Sequence, residues 1–216
     1  CSLWFFDKGK QEALRDKVLF IDARNYYTVV DRTLNEWSEW QLKNLNAIVW
    51  LYRGEVDKYQ KLVDEYRHEL GDALPFAQRA AQLETDLQNA RSEAKEALAE
   101  APRKEKKRIE EKYQDIIEGL EQRLVIAKEA VWLTEKFGAG AYADIPGLCK
   151  VATLEEIEAK GFSLTPGAYV GVAPTQDDGV DFHERMTEIH RELQALQEES
   201  NRLIAAISKN WEEMGL

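Results

Sequence analysis

Apolar residues recur at three- and four-residue intervals over most of the chain, the spacing that gathers one face of an α-helix. Trp37, Trp40, Leu42, Leu45, Ile48, Val49 and Tyr52 predict an aromatic-rich amphipathic helix that stops near Gly54. Val56, Tyr59, Leu62, Val63, Tyr66 and Leu70 predict a second, interrupted at Gly71-Asp72 and Leu74-Pro75. Two longer runs follow. The first is Ala80, Leu83, Leu87, Ala90, Ala94 and Ala97; the second is Ile109, Tyr113, Ile116, Leu120, Leu124, Ala127 and Val131. Pro102 divides them, and a helix interior rejects proline. Small residues on one arm and larger ones on the other predict an antiparallel helical hairpin, with one long helix kinked at Pro102 as the alternative. The last run, Met186, Ile189, Leu193, Leu196, Leu203, Ile207, Trp211 and Met214, holds a heptad register with Ser200 as its polar member. Such a narrow seam calls for another helix beside it.

Strand signals are short and lie mainly at the N-terminus. Leu3-Trp4-Phe5-Phe6 and the stretch Lys17 to Arg24 are rich in aromatic and branched residues and are separated by polar residues Asp7 to Asp16. They read as an antiparallel pair. Neither alternates cleanly, so both faces are expected to be covered, and two strands alone bury too little to stand in water. The expectation is that the sheet they belong to lies outside this sequence, and that the chain is the tail of a larger α/β protein. The absence of an initiating Met at Cys1 agrees. Further on, Thr153-Leu154-Glu155-Glu156 predicts a capped short helix ended by Gly161. From Gly161 to Gly171 the chain reads as extended and punctuated by turns, with Ala168 to Val172 strand-like. The fold class expected is mainly α: a helical bundle with a long coiled-coil-like hairpin, plus a small antiparallel β element at the N-terminus. The boundaries expected are a β element over 1–35, amphipathic helices over 36–74, the hairpin over 75–136, a loop, short helix and extended segment over 137–175, and a terminal docking helix over 176–216.

A net charge of -11 with 32% charged residues describes a soluble, helix-rich surface, and no run of about 18 apolar residues offers a membrane span. The start lacks the pattern of a signal peptide, and two cysteines, Cys1 and Cys149, allow at most one bridge. A reducing cytoplasm is expected. Duplex DNA is a polyanion, so this acidic chain alone should bind it poorly. The basic cluster Arg103-Lys104-Glu105-Lys106-Lys107-Arg108 reads as a solvated hairpin tip rather than a DNA contact.

No complete catalytic set is present. Phe137-Gly138-Ala139-Gly140 matches the outline of a cofactor loop, but it follows a helical pattern instead of a buried strand, and reads as a helix end. No Pro-Pro pair exists to build an amine-gripping corner. His183 and His190 stand about 10 Å apart along a helix axis, too far to share a metal. No cofactor, metal or catalytic residue is expected to be held by this chain.

Six segments in order, in two groups, carry a resemblance. Leu3-Trp4-Phe5-Phe6-Asp7-Lys8, Lys17-Val18-Leu19-Phe20-Ile21-Asp22-Ala23-Arg24 and Ile48 to Gly54 form the first group. Phe137 to Gly140, Ile145 to Cys149, and Gly161-Phe162-Ser163-Leu164-Thr165-Pro166-Gly167-Ala168-Tyr169-Val170-Gly171 form the second. Together they resemble the region after the catalytic core in the modification subunit of type I restriction-modification systems, an adenine-N6 DNA methyltransferase. The resemblance covers nearly the whole chain; the stretch from Phe76 to Val131 lacks a specific match, as a variable helical insertion would. The family pattern carries Arg where Ala168 stands, so this chain has no donor fork at that position.

The resemblance implies that the N-terminal strands close the edge of a missing α/β methyltransferase sheet. The cofactor of the parent protein would be S-adenosylmethionine, bound upstream. The partners it implies are a specificity subunit, a second modification subunit and a restriction subunit, with DNA reached through the complex. It marks Arg24, Gly161, Leu164, Pro166, Gly167, Tyr169 and Val170 as family-motif residues. It also makes Met186, Ile189, Leu193, Leu196, Leu203, Ile207 and Trp211 the surface that docks on the specificity subunit. Lys8, Lys10 and Arg15 on the polar loop are candidate DNA phosphate contacts, with a solvated loop as the plainer reading. A stand-alone coiled-coil scaffold or adaptor is the competing reading. A separated fragment is expected to self-associate through Trp4, Phe5, Phe6 and Phe20 on an unpaired edge and through the terminal seam.

Overall fold

Helix α1 (Glu39–Tyr52) begins where Ser38 caps it, with the Ser38 hydroxyl accepting from the Gln41 amide and the Gln41 side chain answering the Ser38 N–H. The computed structural model describes residues 2–71, 74–102, 104–173 and 182–214. α2 (Val56–Leu70) ends at Gly71, whose left-handed backbone returns its N–H to the carbonyls of Arg67 and His68. Tyr59, Leu62, Val63, Tyr66 and Leu70 are its buried face, as the spacing predicts, while Val56, expected with them, is exposed. On α1 the buried face is Gln41, Asn44, Ala47, Ile48 and Leu51, rotated from the expected stripe; Trp37 and Leu42 are exposed. The rotation buries two polar side chains, each with its own partners: Gln41 accepts from Ser38 and Thr28, and Asn44 bonds Tyr26, Tyr66 and Glu129.

α3 (Phe76–Glu100) and α4 (Lys106–Phe137) are separate helices forming the predicted hairpin, not one kinked rod. Lys128 meets Glu84 at 2.8 Å and Arg91 meets Glu121 at 2.6 Å, which fixes them antiparallel. Leu83, Leu87, Ala90 and Ala94 are buried on α3. On α4 the inner face is Ile117, Leu120, Leu124 and Ala127; Ile116, an expected seam residue, is exposed. The C-terminal half of α4 passes into the main core, where Ala130, Leu133 and Phe137 meet Ala47, Ile48, Tyr59, Leu62 and Tyr66. Arg123 donates to the Leu70 carbonyl at 2.6 Å, tying α4 to the end of α2.

The N-terminal strand pairs otherwise than the sequence suggests. β1 (Lys17–Ile21) runs antiparallel to β4 (Cys149–Thr153), in register from Lys17 with Thr153 to Ile21 with Cys149. Leu3 to Phe6 lie outside any strand and are exposed. A partner for β1 therefore lies within the sequence, correcting the expected pair. Phe20 is likewise buried rather than on an open edge: Ala152, Ile157, Tyr169 and Val170 enclose it, with Val18 beside them. The other face of β1, Leu19 and Ile21, packs on the main core. A second small pair, β2 (Thr28–Val29) with β3 (Asn35–Glu36), turns at Asp31, whose carboxylate accepts from the Thr33 and Leu34 amides.

Thr153 and Glu156 form the capping box of α5 (Leu154–Ala159), as predicted. The expected extended segment after it is corrected. Gly167–Val170 is a helical turn, α6, entered from Pro166 at φ -54°, and it delivers Tyr169 flat onto Phe20 at 4.0 Å between ring centroids. Stacking on Phe20 and burial of Val170 outweigh the strand preference of this short run. The chain divides into two units, Cys1–Ala173 and Pro174–Leu216. In the second, α7 (Phe182–Met214) is one helix of 33 residues. Among the described residues no helix is long and apolar enough to cross a membrane.

Candidate functional site

Of the residues that the resemblance marks, Arg24, Pro166, Gly167, Tyr169 and Val170 lie together at the β1–β4 corner. Asp22 follows β1, its side chain little exposed, and receives two nitrogens of the Arg24 guanidinium: Nε at 2.9 Å and Nη2 at 2.7 Å. That hydrogen-bonded pair holds the Asp22 carboxyl below its ordinary range. Arg24 lies against Gly167: a Cβ there would come within 2.9 Å of Nη2. The Gly therefore gives the guanidinium room over the start of α6. Lys160 covers the other side, its ammonium 4.9 Å from the Tyr169 ring centre and donating to the Ala168 carbonyl. The Tyr169 hydroxyl donates to the Ser163 carbonyl, and Val170 accepts from the Gly147 amide at 2.8 Å.

Gly161 ends α5 at φ +61°, and Phe162 follows at φ +60°. Leu164 is at the surface. Arg24, Pro166, Gly167, Tyr169 and Val170 thus build and close one corner, in which the Ala168 carbonyl, not its side chain, is the group engaged, while Gly161 serves to end α5. Gly147 is required by a closer approach still, since a Cβ would stand 2.6 Å from the Ala173 backbone nitrogen.

A buried polar node at the head of the helices escaped sequence reading. Asn44, with no exposed surface, donates to the Tyr26 hydroxyl at 2.9 Å and the Glu129 carbonyl at 3.1 Å, and accepts from the Tyr66 hydroxyl at 2.9 Å. Tyr26 in turn donates to the Glu129 carboxylate and stacks on Trp132 at 4.0 Å. Burial above all, with the Glu129 carboxylate nearby, pushes both phenols well above the usual tyrosine range. The node joins the segment after β1 to α1, α2 and α4. In a single sequence a buried Asn and an exposed Asn look alike, so no signal marked it.

Phe137 to Gly140 do not fit a cofactor loop. The Tyr59 hydroxyl donates to the Gly138 carbonyl at 2.8 Å and Gln60 to the Ala139 carbonyl at 2.6 Å, while Gly140 stands so close to Tyr59 that a Cβ would meet its ring at 2.8 Å. Gly140 serves packing of the α4 end against α2, and Gly138, at φ +51°, ends the helix. Cys149 is a free, buried thiol, raised above its ordinary pKa by burial; Cys1 lies outside the described residues. Lys10 donates to the Lys17 carbonyl at 2.5 Å, Arg15 pairs with Glu12 at 3.3 Å, and Lys8 is exposed. Two of the three candidate phosphate contacts thus already have partners within the chain, and Asp7, next to Lys8 in sequence, pairs with Arg53 at 2.9 Å. On α7, Met186, Ile189, Leu193, Leu196, Leu203 and Ile207 are all exposed; the Trp211 side chain lies outside the described residues.

Comparison with known proteins adds the following. The N-6 DNA Methylase family matches residues 1–69. The chain is 43% identical to the type I restriction enzyme HindI methylase subunit of Haemophilus influenzae over 90 residues, 42% of this chain and 20% of that one. It is 25% identical to the type I restriction enzyme MjaIX methylase subunit of Methanocaldococcus jannaschii over 215 residues, 99% of this chain and 24% of that one. The chain therefore spans no more than about a quarter of the length of these curated relatives. No solved structure matches it significantly.

Proposed function

We propose that this chain, which resembles a fragment of a type I modification subunit, is that subunit's C-terminal assembly region. It fixes the upstream adenine-N6 methyltransferase domain against the specificity subunit and DNA. In that reading the specificity subunit reads the sequence, and the upstream domain holds S-adenosylmethionine and the flipped adenine. The second modification subunit, the restriction subunit and DNA are met through the complex, in the cytoplasm. The residues here supply geometry: they decide which adenine reaches the pocket.

The observation that carries the reading is the state of β1. Asp22 donates its N–H to the Leu148 carbonyl at 2.7 Å and Leu154 donates its N–H to the Asp16 carbonyl at 3.1 Å, so in this register the N–H and C=O groups of Leu19 and Ile21 point away from β4. Among the described residues nothing pairs with them. The strand is nevertheless covered on both faces by two apolar clusters, the environment of an interior strand. The outward edge of β4 is instead blocked, because the Asp144 carboxylate takes the Val151 amide at 2.9 Å. An interior strand with one blocked and one open side supports continuation of the sheet into the rest of the parent protein.

Hydrogen exchange tests this. In the full-length subunit the Leu19 and Ile21 amides are expected to be protected at least about a hundredfold more than in the isolated chain. Equal exchange in the two would overturn the reading. Protection in the isolated chain that grows with its concentration would assign the edge to self-association instead.

A further inference from the structure

The hairpin of α3 and α4 is the part that the resemblance leaves without a role, and its charge is unevenly placed. Interhelix ion pairs stand along its length at Glu84 with Lys128 and Arg91 with Glu121. Beyond Ala94 on α3, and before Ala127 on α4, no residue of the two helices is buried. The first residue of α4 is about 30 Å along the axis from Ala127. At that far end the sequence from Arg103 to Arg108 puts five cations against one carboxylate, in a chain of net charge -11. Lys104, Lys106, Lys107 and Arg108 are exposed. Lys107 reaches Glu111 only at 3.7 Å, and among the described residues Lys104, Lys106 and Arg108 meet no carboxylate.

Helix stability does not account for these cations. The first turn of α4 holds no acid but three bases, at the end where the macrodipole favours acids. The last turn of α3, beside it, holds no base. Core packing does not account for them either, since all four lie exposed beyond the buried part of the hairpin. What remains is an outside anion, met at the end of a long, otherwise acidic arm.

We propose that this tip contacts the phosphate backbone of duplex DNA. The proposal rests on the reading that the parent protein is a DNA methylase, and it goes beyond it by giving the hairpin a role. The arm holds a small basic end away from an acidic body, so that DNA is touched at one place without the body approaching it. Contact there is with phosphates and carries no base sequence, which suits an arm that positions the duplex while another subunit reads it.

The test is salt-dependent DNA binding by the complete methylase complex, built with the subunit that contains this chain. Lys104→Gln, Lys106→Gln, Lys107→Gln and Arg108→Gln are combined in one variant. Lys58→Gln, Lys61→Gln and Lys95→Gln form a control at other exposed positions. Removing one cation that neutralises a phosphate lowers the slope of log K against log salt by about 0.9. The tip variant is expected to lose about two to three in slope and at least about tenfold in affinity at low salt, with the control unchanged. An unchanged slope in an assembled complex overturns the proposal. So does failure of the tip variant to assemble while it folds normally, which would make the tip a protein contact. If the unmutated complex binds no DNA, the methylase reading itself falls, and that result is distinct from the other two.

Discussion

Asn44 shows what one residue can do when its side chain is fully enclosed. It closes hydrogen bonds with Tyr26, Tyr66 and Glu129, drawn from three other parts of the chain. Asn44→Ala leaves those groups buried without their partner and is expected to cost about 2–4 kcal/mol, read from the urea midpoint. A loss below about 0.5 kcal/mol would deny the node its structural weight. The same node sets an alkaline limit. Tyr26 and Tyr66 keep their protons in the folded state to pH values well above the roughly 10 at which an unfolded chain releases them. Their contribution is therefore whole below about pH 10 and declines as pH rises from there towards the folded values, by about 1.4 kcal/mol per unit for each phenol. Stability measured from pH 8 to 11.5 should be level and then fall; a level curve throughout would contradict this. Cys149, buried and with its thiol pushed up, should be silent to thiol reagents until the chain unfolds.

At the scale of elements, what could be read in advance follows from how strongly local pattern dictates structure. The buried face of α2, the Gly71 stop, the two-helix hairpin and the Thr153 cap were legible because periodicity, glycine and capping chemistry are local signals. β4 was not, since Cys149-Lys150-Val151-Ala152-Thr153 mixes small and polar residues, and its strand form depends on β1, far away in sequence. The turn at α6 was missed for the same reason: Tyr169 takes its place from Phe20. Long-range pairing also makes the corner sensitive to backbone approach. Gly147→Ala, at φ +76° and against the backbone of Ala173, is expected to cost at least about 2 kcal/mol. Gly167→Ala, facing the movable end of Arg24, should cost less. Thermal melts of the two variants check the order, and a reversed order would show that Arg24 is held more firmly than its exposure suggests.

For the whole molecule, the candidate site was legible only in part. The family resemblance drew Arg24, Gly161, Leu164, Pro166, Gly167, Tyr169 and Val170 from distant places in the sequence, and the fold sets Arg24, Pro166, Gly167, Tyr169 and Val170 at one corner, with Leu164 at the surface. Their arrangement around Phe20, and the open side of β1, required the pairing with β4. The apolar seam of α7 is a pattern of the sequence itself, and the fold adds that its positions lie on one helix of 33 residues. The central claim is that the chain is an assembly region, and capture by the specificity subunit tests it most directly. The full-length modification subunit is compared with its Leu193→Asp plus Leu203→Asp variant, both exposed positions on α7. The account predicts capture of the unmutated subunit and a drop of at least about tenfold in the variant, with helix content unchanged. Equal capture of the two would contradict it.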